Sequence, residues 1–395
     1  MELQNSPCNS PNGSNSKSNK NFLKINSNLE VYFNRIFKTK FFGLKCGKII
    51  LNHTCANNGI LSEDCFRVSI PYANQILTWT VYFNIRNPDL GPDFDFDDKF
   101  FLNDPDLDDF EKNVPSLMNW DSEDSNSLLK VITELVLYYK KYQVDYLYKH
   151  GGHLVYEYDN LLSKTEICDE DVEMILLPTV INPSEVHFLI RIAVDFSRLP
   201  KKSYLCNYDI IVLHIMYRGN NWNRITPQLL ISKNLEEILG ESNNFHLPPV
   251  STERHLMDYV LEIKKLVSTK IDSIILSSRK RKEFVNTALC LQGSSVVEYD
   301  NIEFSFISFL LNHKDFYFFL HFHLTPNFPI QPPKITLQSC YHLANKDELY
   351  KTTLSNNFPY NPLWEPEQMF TKILIYLIEN EISTFQTNSI KNKRT

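Results

Sequence analysis

At 395 residues the chain exceeds one ordinary domain, and about 150 residues per domain gives two to three. An apolar share of 43 % beside 22 % charged residues excludes wholesale disorder, a collagen-like repeat and a membrane-spanning bundle. With Lys+Arg 40 against Asp+Glu 47 the net charge is −7, a poor match to a nucleic-acid binder, and Gly 10 argues against glycine-rich phosphate loops and dinucleotide folds.

Residues 1–22 are rich in Ser, Asn, Pro, Gly and Lys and nearly free of apolar side chains, so a disordered head is expected, without the apolar core of a cleaved leader. No apolar run approaches the length of a bilayer span. The eight cysteines, Cys8, Cys46, Cys55, Cys65, Cys168, Cys206, Cys290 and Cys340, are too sparse for a secreted disulfide scaffold. A cytosolic or nuclear protein is expected, in which the sequons at 12–14 and 52–54 carry no meaning.

Structure is expected from Leu23. Alternation at Phe66, Val68, Ile70 and at Leu77, Trp79, Val81, Phe83, Ile85 predicts half-buried antiparallel strands. The turn Asn87-Pro88-Asp89-Leu90-Gly91-Pro92 stops the second strand, and a long acidic loop runs to Trp120. Leu128, Ile132, Leu135, Val136 and Tyr139 then predict a helix. Further on, Val186–Phe196 and Tyr208–Tyr217 read as strands, broken by Leu199-Pro200 and Ile225-Thr226-Pro227. Leu235–Leu239 and Met257–Val267 read as helices. The last third repeats the order of the first. Helical spacing at Phe284, Ala288 and Leu291 leads into strands at Ile302, Phe304, Phe306 and at Phe316, Phe318, Leu320, Phe322, Leu324. A proline turn at 325–333, a short strand at Lys334–Gln338, a loop to Trp364 and a closing helix follow. Pro366 suits the first turn of that helix, and Met369, Phe370, Ile373, Leu374, Leu377 and Ile378 share its buried face. The shared order of strand, strand, proline turn, loop, Trp and helix predicts two copies of one α+β domain, with a fainter third between them.

Helix, meander, proline-proline turn, tryptophan loop and closing helix resemble the ubiquitin-conjugating fold and its catalytically dead relatives, the ubiquitin E2 variant (UEV) and RWD domains. Several motifs are similar to those of the BRE family. They are Ile70-Pro71-Tyr72-Ala73, Val194-Asp195-Phe196-Ser197, Val296-Val297-Glu298-Tyr299-Asp300, Leu337-Gln338-Ser339-Cys340-Tyr341-His342, Leu349-Tyr350, and Asn357-Phe358-Pro359-Tyr360-Asn361-Pro362-Leu363-Trp364. The resemblance covers about 30 to 385 in one order. It implies a fold of tandem UEV/RWD-like domains, antiparallel sheets flanked by helices, divided as 23–150, 151–270 and 271–386 with a tail at 387–395. It also implies a noncatalytic scaffold subunit of a deubiquitinase complex, either the BRISC complex or the nuclear A complex of the breast cancer type 1 susceptibility protein. The implied partners are a zinc JAMM metalloprotease, an Abraxas-type scaffold and a von Willebrand A-like subunit, with ubiquitin a further ligand. The implied complex is specific for signalling-type polyubiquitin chains. The implied processes are the DNA damage response, the cell cycle and restraint of apoptosis, in cytoplasm and nucleus. No cofactor, metal, membrane or nucleic acid is implied.

The residues agree with a missing nucleophile. A conjugating enzyme carries ubiquitin on a cysteine thiolate. By the resemblance that cysteine would follow a His-Pro-Asn segment and precede the Trp. No cysteine lies between Pro92 and Trp120. Between Pro333 and Trp364 there is only Cys340, which precedes His342 and reads as a buried thiol. Cys46, His53, Cys55 and Cys65 lack the paired spacing of a zinc site. His321 and His323 share a strand face, but Leu324, Gln331 and Lys334 stand where a JAMM motif needs Pro, Ser and Asp. The run Asp93–Asp98 imitates a calcium loop but has Asp98 where Gly is required and Asp104 where Glu is. It belongs to a segment, 89–124, with thirteen carboxylates and two lysines, read as a solvating surface or a dock for a basic partner. Arg279-Lys280-Arg281-Lys282 reads as a solvated helix face or a nuclear address. Phe358, Tyr360 and Trp364, stiffened by Pro359 and Pro362, are the expected partner-binding residues, with the Tyr360 ring turned outward. The alternatives are a free-standing UEV-type module binding peptides or ubiquitin and, less well supported, an active conjugating enzyme.

Overall fold

The computed structural model describes residues 27–39, 42–45, 47–55, 61–178, 183–199, 209–219, 221–240, 245–251, 254–344, 348–355 and 357–391, with backbone alone at 27–28, 52–55, 61–63, 178 and 183–184. The head expected at 1–22 lies outside these residues. Two compact units divide the chain, Met1–Lys149 and His150–Thr395. No described helix is long and apolar enough to cross a membrane.

In the first unit α1 (Ser27–Lys38) precedes an antiparallel meander, β1 (Ile50–Cys55), β2 (Leu61–Tyr72), β3 (Gln75–Tyr82) and β4 (Asp93–Phe96), in the order β1-β2-β3-β4. Alternation works as read: Phe66 faces Val81, Val68 faces Trp79 and Ile70 faces Leu77 across the β2–β3 ladder, and all six are buried. Helix α1 covers this face through Phe33, whose ring lies 4.6 Å from Phe66. Helix α4 (Ser127–His150) covers it through Tyr139, 5.6 Å from Tyr72 and 6.5 Å from Trp79. The expected strand through Ile85 ends at Tyr82, and Ile85 is exposed in the turn that follows.

The acidic loop is more ordered than its composition suggests. It contains β4, α2 (Leu107–Asn113) and α3 (Pro115–Met118). Strand β4 pairs with β3, Val81 opposite Phe94, so its aromatics supply pairing that the intervening aspartates do not prevent. Other carboxylates cap or accept. Asp106 takes the N–H of Asp108 at the start of α2, and Asp109 takes the Tyr138 hydroxyl at 2.8 Å.

The second unit repeats this order twice. Helix α5 (His153–Lys164) leads into β5 (Val172–Pro178), β6 (Pro183–Arg191), β7 (Ile211–Arg218) and β8 (Arg224–Ile231), again a simple meander, then α6 (Lys233–Leu239). Pro227, read as a strand breaker, stands inside β8. As the edge strand of the order β5-β6-β7-β8, it tolerates a missing ladder donor.

Helix α7 (Leu256–Gln292) runs unbroken across 270/271, where the sequence reading divides two domains. Its 37 residues contain neither Gly nor Pro, and Gly293 ends it. Glu157 of α5 receives the Leu256 N–H at 2.7 Å and fixes its start. Thus α7 closes the middle sheet and opens the last.

The last sheet holds β9 (Val296–Tyr299), β10 (Phe306–His313), β11 (Phe316–His323), β12 (Lys334–Leu343) and β13 (Leu349–Thr353), in the order β13-β12-β11-β10-β9. Ile302 and Phe304, read as strand, lie in the β9–β10 turn; Ile302 is exposed and Phe304 has φ +54°. Two-residue hairpin turns with positive φ at both positions join β2 to β3 (Ala73-Asn74) and β10 to β11 (Lys314-Asp315), a structural sign of the repeat. Helix α8 (Pro366–Tyr376) continues through a wide π turn (Leu377–Glu381) into α9 (Ile382–Lys391), so 387–391 are helical rather than tail. The extra residue in that turn rotates the buried face from Leu377 to Ile382, which leaves Ile378 exposed. Leu374, expected in the core, is half-buried.

Asp300 organises the β9–β10 turn. Burial pushes its carboxyl up, but hydrogen bonds from the Ser305 hydroxyl and the N–H groups of Ile302, Ser305 and Glu303 outweigh it and hold the pKa below its ordinary 3.8. A depressed carboxylate stabilises the fold fully above its unfolded pKa and loses that contribution as pH falls through the folded one. Acid titration of melting temperature should therefore be shallower below about pH 4 in Asp300→Asn than in the native chain. Parallel curves would show that Asp300 carries no such linkage.

Candidate functional site

The proline turn after β11 and the loop before α8 meet at one end of the last sheet. Ser277 and Arg281 of α7 hold the turn. The Ser277 hydroxyl donates toward the carbonyls of Pro326 and Phe328, the latter at 2.6 Å. Arg281 donates to the carbonyls of Glu303 at 3.1 Å and Thr325 at 3.4 Å. Of the basic run, Arg281 is thus spent inside the fold. Arg279 and Lys280 both reach Glu283 at 2.9 Å, and Lys282 lies over Phe304. Only part of this run is a solvated face.

The three expected binding aromatics do different things. Phe358 is a core residue, with 5 % exposure. Tyr360 is half-buried, edge-on to Phe358 at 6.4 Å, and its hydroxyl donates to the Pro329 carbonyl. Burial pushes that hydroxyl up to about 12. The outward ring expected of Tyr360 is therefore corrected: its hydroxyl points into the proline turn and clamps the two loops together. Trp364 is half-buried, with Lys372 Nζ 4.0 Å from its ring centroid. The first unit has a matching clasp, in which Trp120 Nε1 donates to the Pro88 carbonyl at 3.2 Å.

The clamp presents two side chains that the sequence reading passed over. Ile330 is 82 % exposed and Leu363 88 %, one from each loop. Their signal was an aliphatic residue beside prolines, Pro329-Ile330 and Pro362-Leu363, where stiff backbone holds a side chain off the core.

Cys340 lies within β12, half-buried, and burial pushes its thiol up, the reverse of what a nucleophile at neutral pH needs. His342 is held by the Ser339 hydroxyl at 2.9 Å and stacks on Phe316. His321 and His323 stack at 6.4 Å, with Ser308 at 2.8 Å from His321 Nδ1, and burial lowers both imidazoles. Of the zinc candidates, Cys46 and the side chains of His53 and Cys55 lie outside the described residues, and Cys65 is part of β2. Among the described residues no group of three or more His, Cys, Asp or Glu side chains is arranged to hold a metal ion.

Repeated modules of an antiparallel meander flanked by helices make this an α+β protein of tandem domains, an architecture consistent with tandem UEV-like domains. It matches the family model of Brain and reproductive organ-expressed protein (BRE) over residues 23–343 and belongs to that family. It is 31 % identical over 339 residues to the "BRISC and BRCA1-A complex member 2" of Danio rerio, covering 83 % of this chain and 85 % of the relative. To the protein of the same name from Branchiostoma floridae it is 33 % identical over 323 residues, covering 80 % and 82 %.

Proposed function

We propose that the chain is a noncatalytic scaffold subunit of a deubiquitinase complex of the BRISC or BRCA1-A kind. The observation that carries this reading is its similarity, along four-fifths of its length, to relatives named as members of those complexes. The position of Cys340, mid-strand with a raised thiol, supports a scaffold over a conjugating enzyme. In this reading the chain joins a zinc JAMM metalloprotease, an Abraxas-type scaffold and a von Willebrand A-like subunit. It assists cleavage of signalling-type polyubiquitin, with ubiquitin as a further ligand. The processes served are the DNA damage response, the cell cycle and restraint of apoptosis, in both cytoplasm and nucleus.

Mass spectrometry of the tagged chain purified under native conditions tests this. A metalloprotease co-eluting in fixed stoichiometry is the expected result. A monomer that binds only short peptides would favour the free-standing module. A second assay addresses chemistry. With activating enzyme, ubiquitin and ATP, the chain should form no thioester, whereas a reducible ubiquitin adduct lost on Cys340→Ser would overturn the scaffold reading.

A further inference from the structure

The first unit contains a cleft of about 350 Å³ bordered by α1, the proline turn after β3 and the Trp120 loop. Leu29, Tyr32, Phe83, Pro88, Leu90 and Trp120 line it. The lining is built rather than incidental. Tyr32 stacks on Phe83 at 6.2 Å and meets Trp120 at 5.4 Å, and Trp120 is tied to Pro88 by its indole N–H. The Tyr32 hydroxyl is in turn fixed on the Ser122 carbonyl. Leu90, by contrast, is 56 % exposed and lies open to a ligand.

Charge decides what the cleft fits. Its three bordering segments carry Glu30, Asp89, Asp121, Glu123 and Asp124 against Arg35, Lys38 and Arg86. Asp124 is paired with Lys130 at 2.8 Å, whereas Arg35, a turn and a half along α1 from Leu29 and outside the lining, donates to the neutral Asn126 amide at 2.6 Å. Asp89 and Asp121, next in the chain to the lining residues Pro88, Leu90, Trp120 and Ser122, are exposed and accept from neutral donors, the Ser122 hydroxyl and the Glu123 N–H. Burial, then the charges of Asp121, Asp124 and Asp89, push the Tyr32 hydroxyl up.

We propose that this cleft docks a segment of a partner protein in which an apolar anchor (Leu, Phe or Pro) is flanked by lysine or arginine. The aromatic lining would receive the anchor, and the carboxylates would attract the flanking cations. A second copy of the chain fits less well, because each carries a net charge of −7. An anionic lipid surface is opposed by the same acidic border. The proposal rests on the first unit alone and goes beyond membership of any complex.

The test uses the full chain and a positional-scanning set of labelled twelve-residue peptides. Each has Leu, Phe or Pro fixed at the centre and either Lys/Arg or Asp/Glu flanks, and binding is read by fluorescence anisotropy. Basic-flanked peptides should bind and acidic-flanked ones should not. Leu90→Ser should weaken binding about tenfold. The pair Asp89→Asn and Asp121→Asn should weaken it several-fold and flatten its salt dependence. Melting temperatures should stay unchanged in these exposed variants. Absence of binding by every peptide, equal binding whatever the flank, or indifference to all three substitutions would overturn the proposal. So would a dimer in sedimentation that Leu90→Ser dissolves, since the occupant would then be a second copy.

Discussion

Replacing Phe370 with alanine should cost the last sheet and its helices about 3–5 kcal/mol, a large part of the roughly 5–15 kcal/mol that holds an ordinary domain. Phe370 is 2 % exposed. Its ring meets Phe284 of α7 at 6.0 Å, Phe309 of β10 at 5.7 Å and Phe322 of β11 at 5.6 Å, so truncation opens a hole shared by three elements. Leu374→Ala, on the same helix, should cost distinctly less, because Leu374 is only half-buried and the site can relax or fill with water. Urea titration followed by hydrogen exchange checks both. Protection should fall across β10, β11 and α8 in Phe370→Ala and be retained in β2 and β3. An equal cost for the two variants would show that the aromatic cluster is not the centre of this core.

Leu363→Asp, alone or with Ile330→Asp, should reduce capture of the partner subunits at least tenfold, about 1.4 kcal/mol, with no change in melting temperature. Both side chains are more than four-fifths exposed, so the folded chain loses nothing when they become polar. A partner that buries them loses its apolar contact and must desolvate a carboxylate. Tyr360→Phe offers the contrasting case. It keeps the ring but removes the hydroxyl that clamps the loop to Pro329, and should lower stability by about 1 kcal/mol. Tyr360→Ala should melt earlier still, because the half-buried ring is lost as well. Intact co-purification of Leu363→Asp/Ile330→Asp at undiminished stoichiometry would remove this end of the molecule from the list of interfaces.

Residues 66–70, 77–82 and 316–323 were legible from their spacing alone. A strand with one buried face writes its pairing into a period of two, and Phe66, Val68, Ile70, Phe318, Leu320 and Phe322 follow that period into the core. The proline turns were legible as well, because Pro and Gly act on the backbone wherever they stand, but the loops expected before Trp120 and Trp364 hold further strands, β4 and β13. Other features depended on neighbours distant in the chain. Pro227 reads as a breaker until β8 is seen to be an edge, which no local pattern states. The acidic run at 93–98 reads as loop until β3 supplies a partner for β4. At the candidate site, Phe358, Tyr360 and Leu363 are all large apolar or aromatic residues within six positions of one proline-rich loop. Composition cannot rank them for exposure. Their different fates follow from which of them finds a partner in space: Phe358 the core, Tyr360 the carbonyl of Pro329, thirty-one residues away, and Leu363 neither. The residue types and spacings in the sequence determine periodicity and turns, because these act over a few residues; burial of a particular side chain is a property of the packed surroundings, and only the tertiary structure decides it.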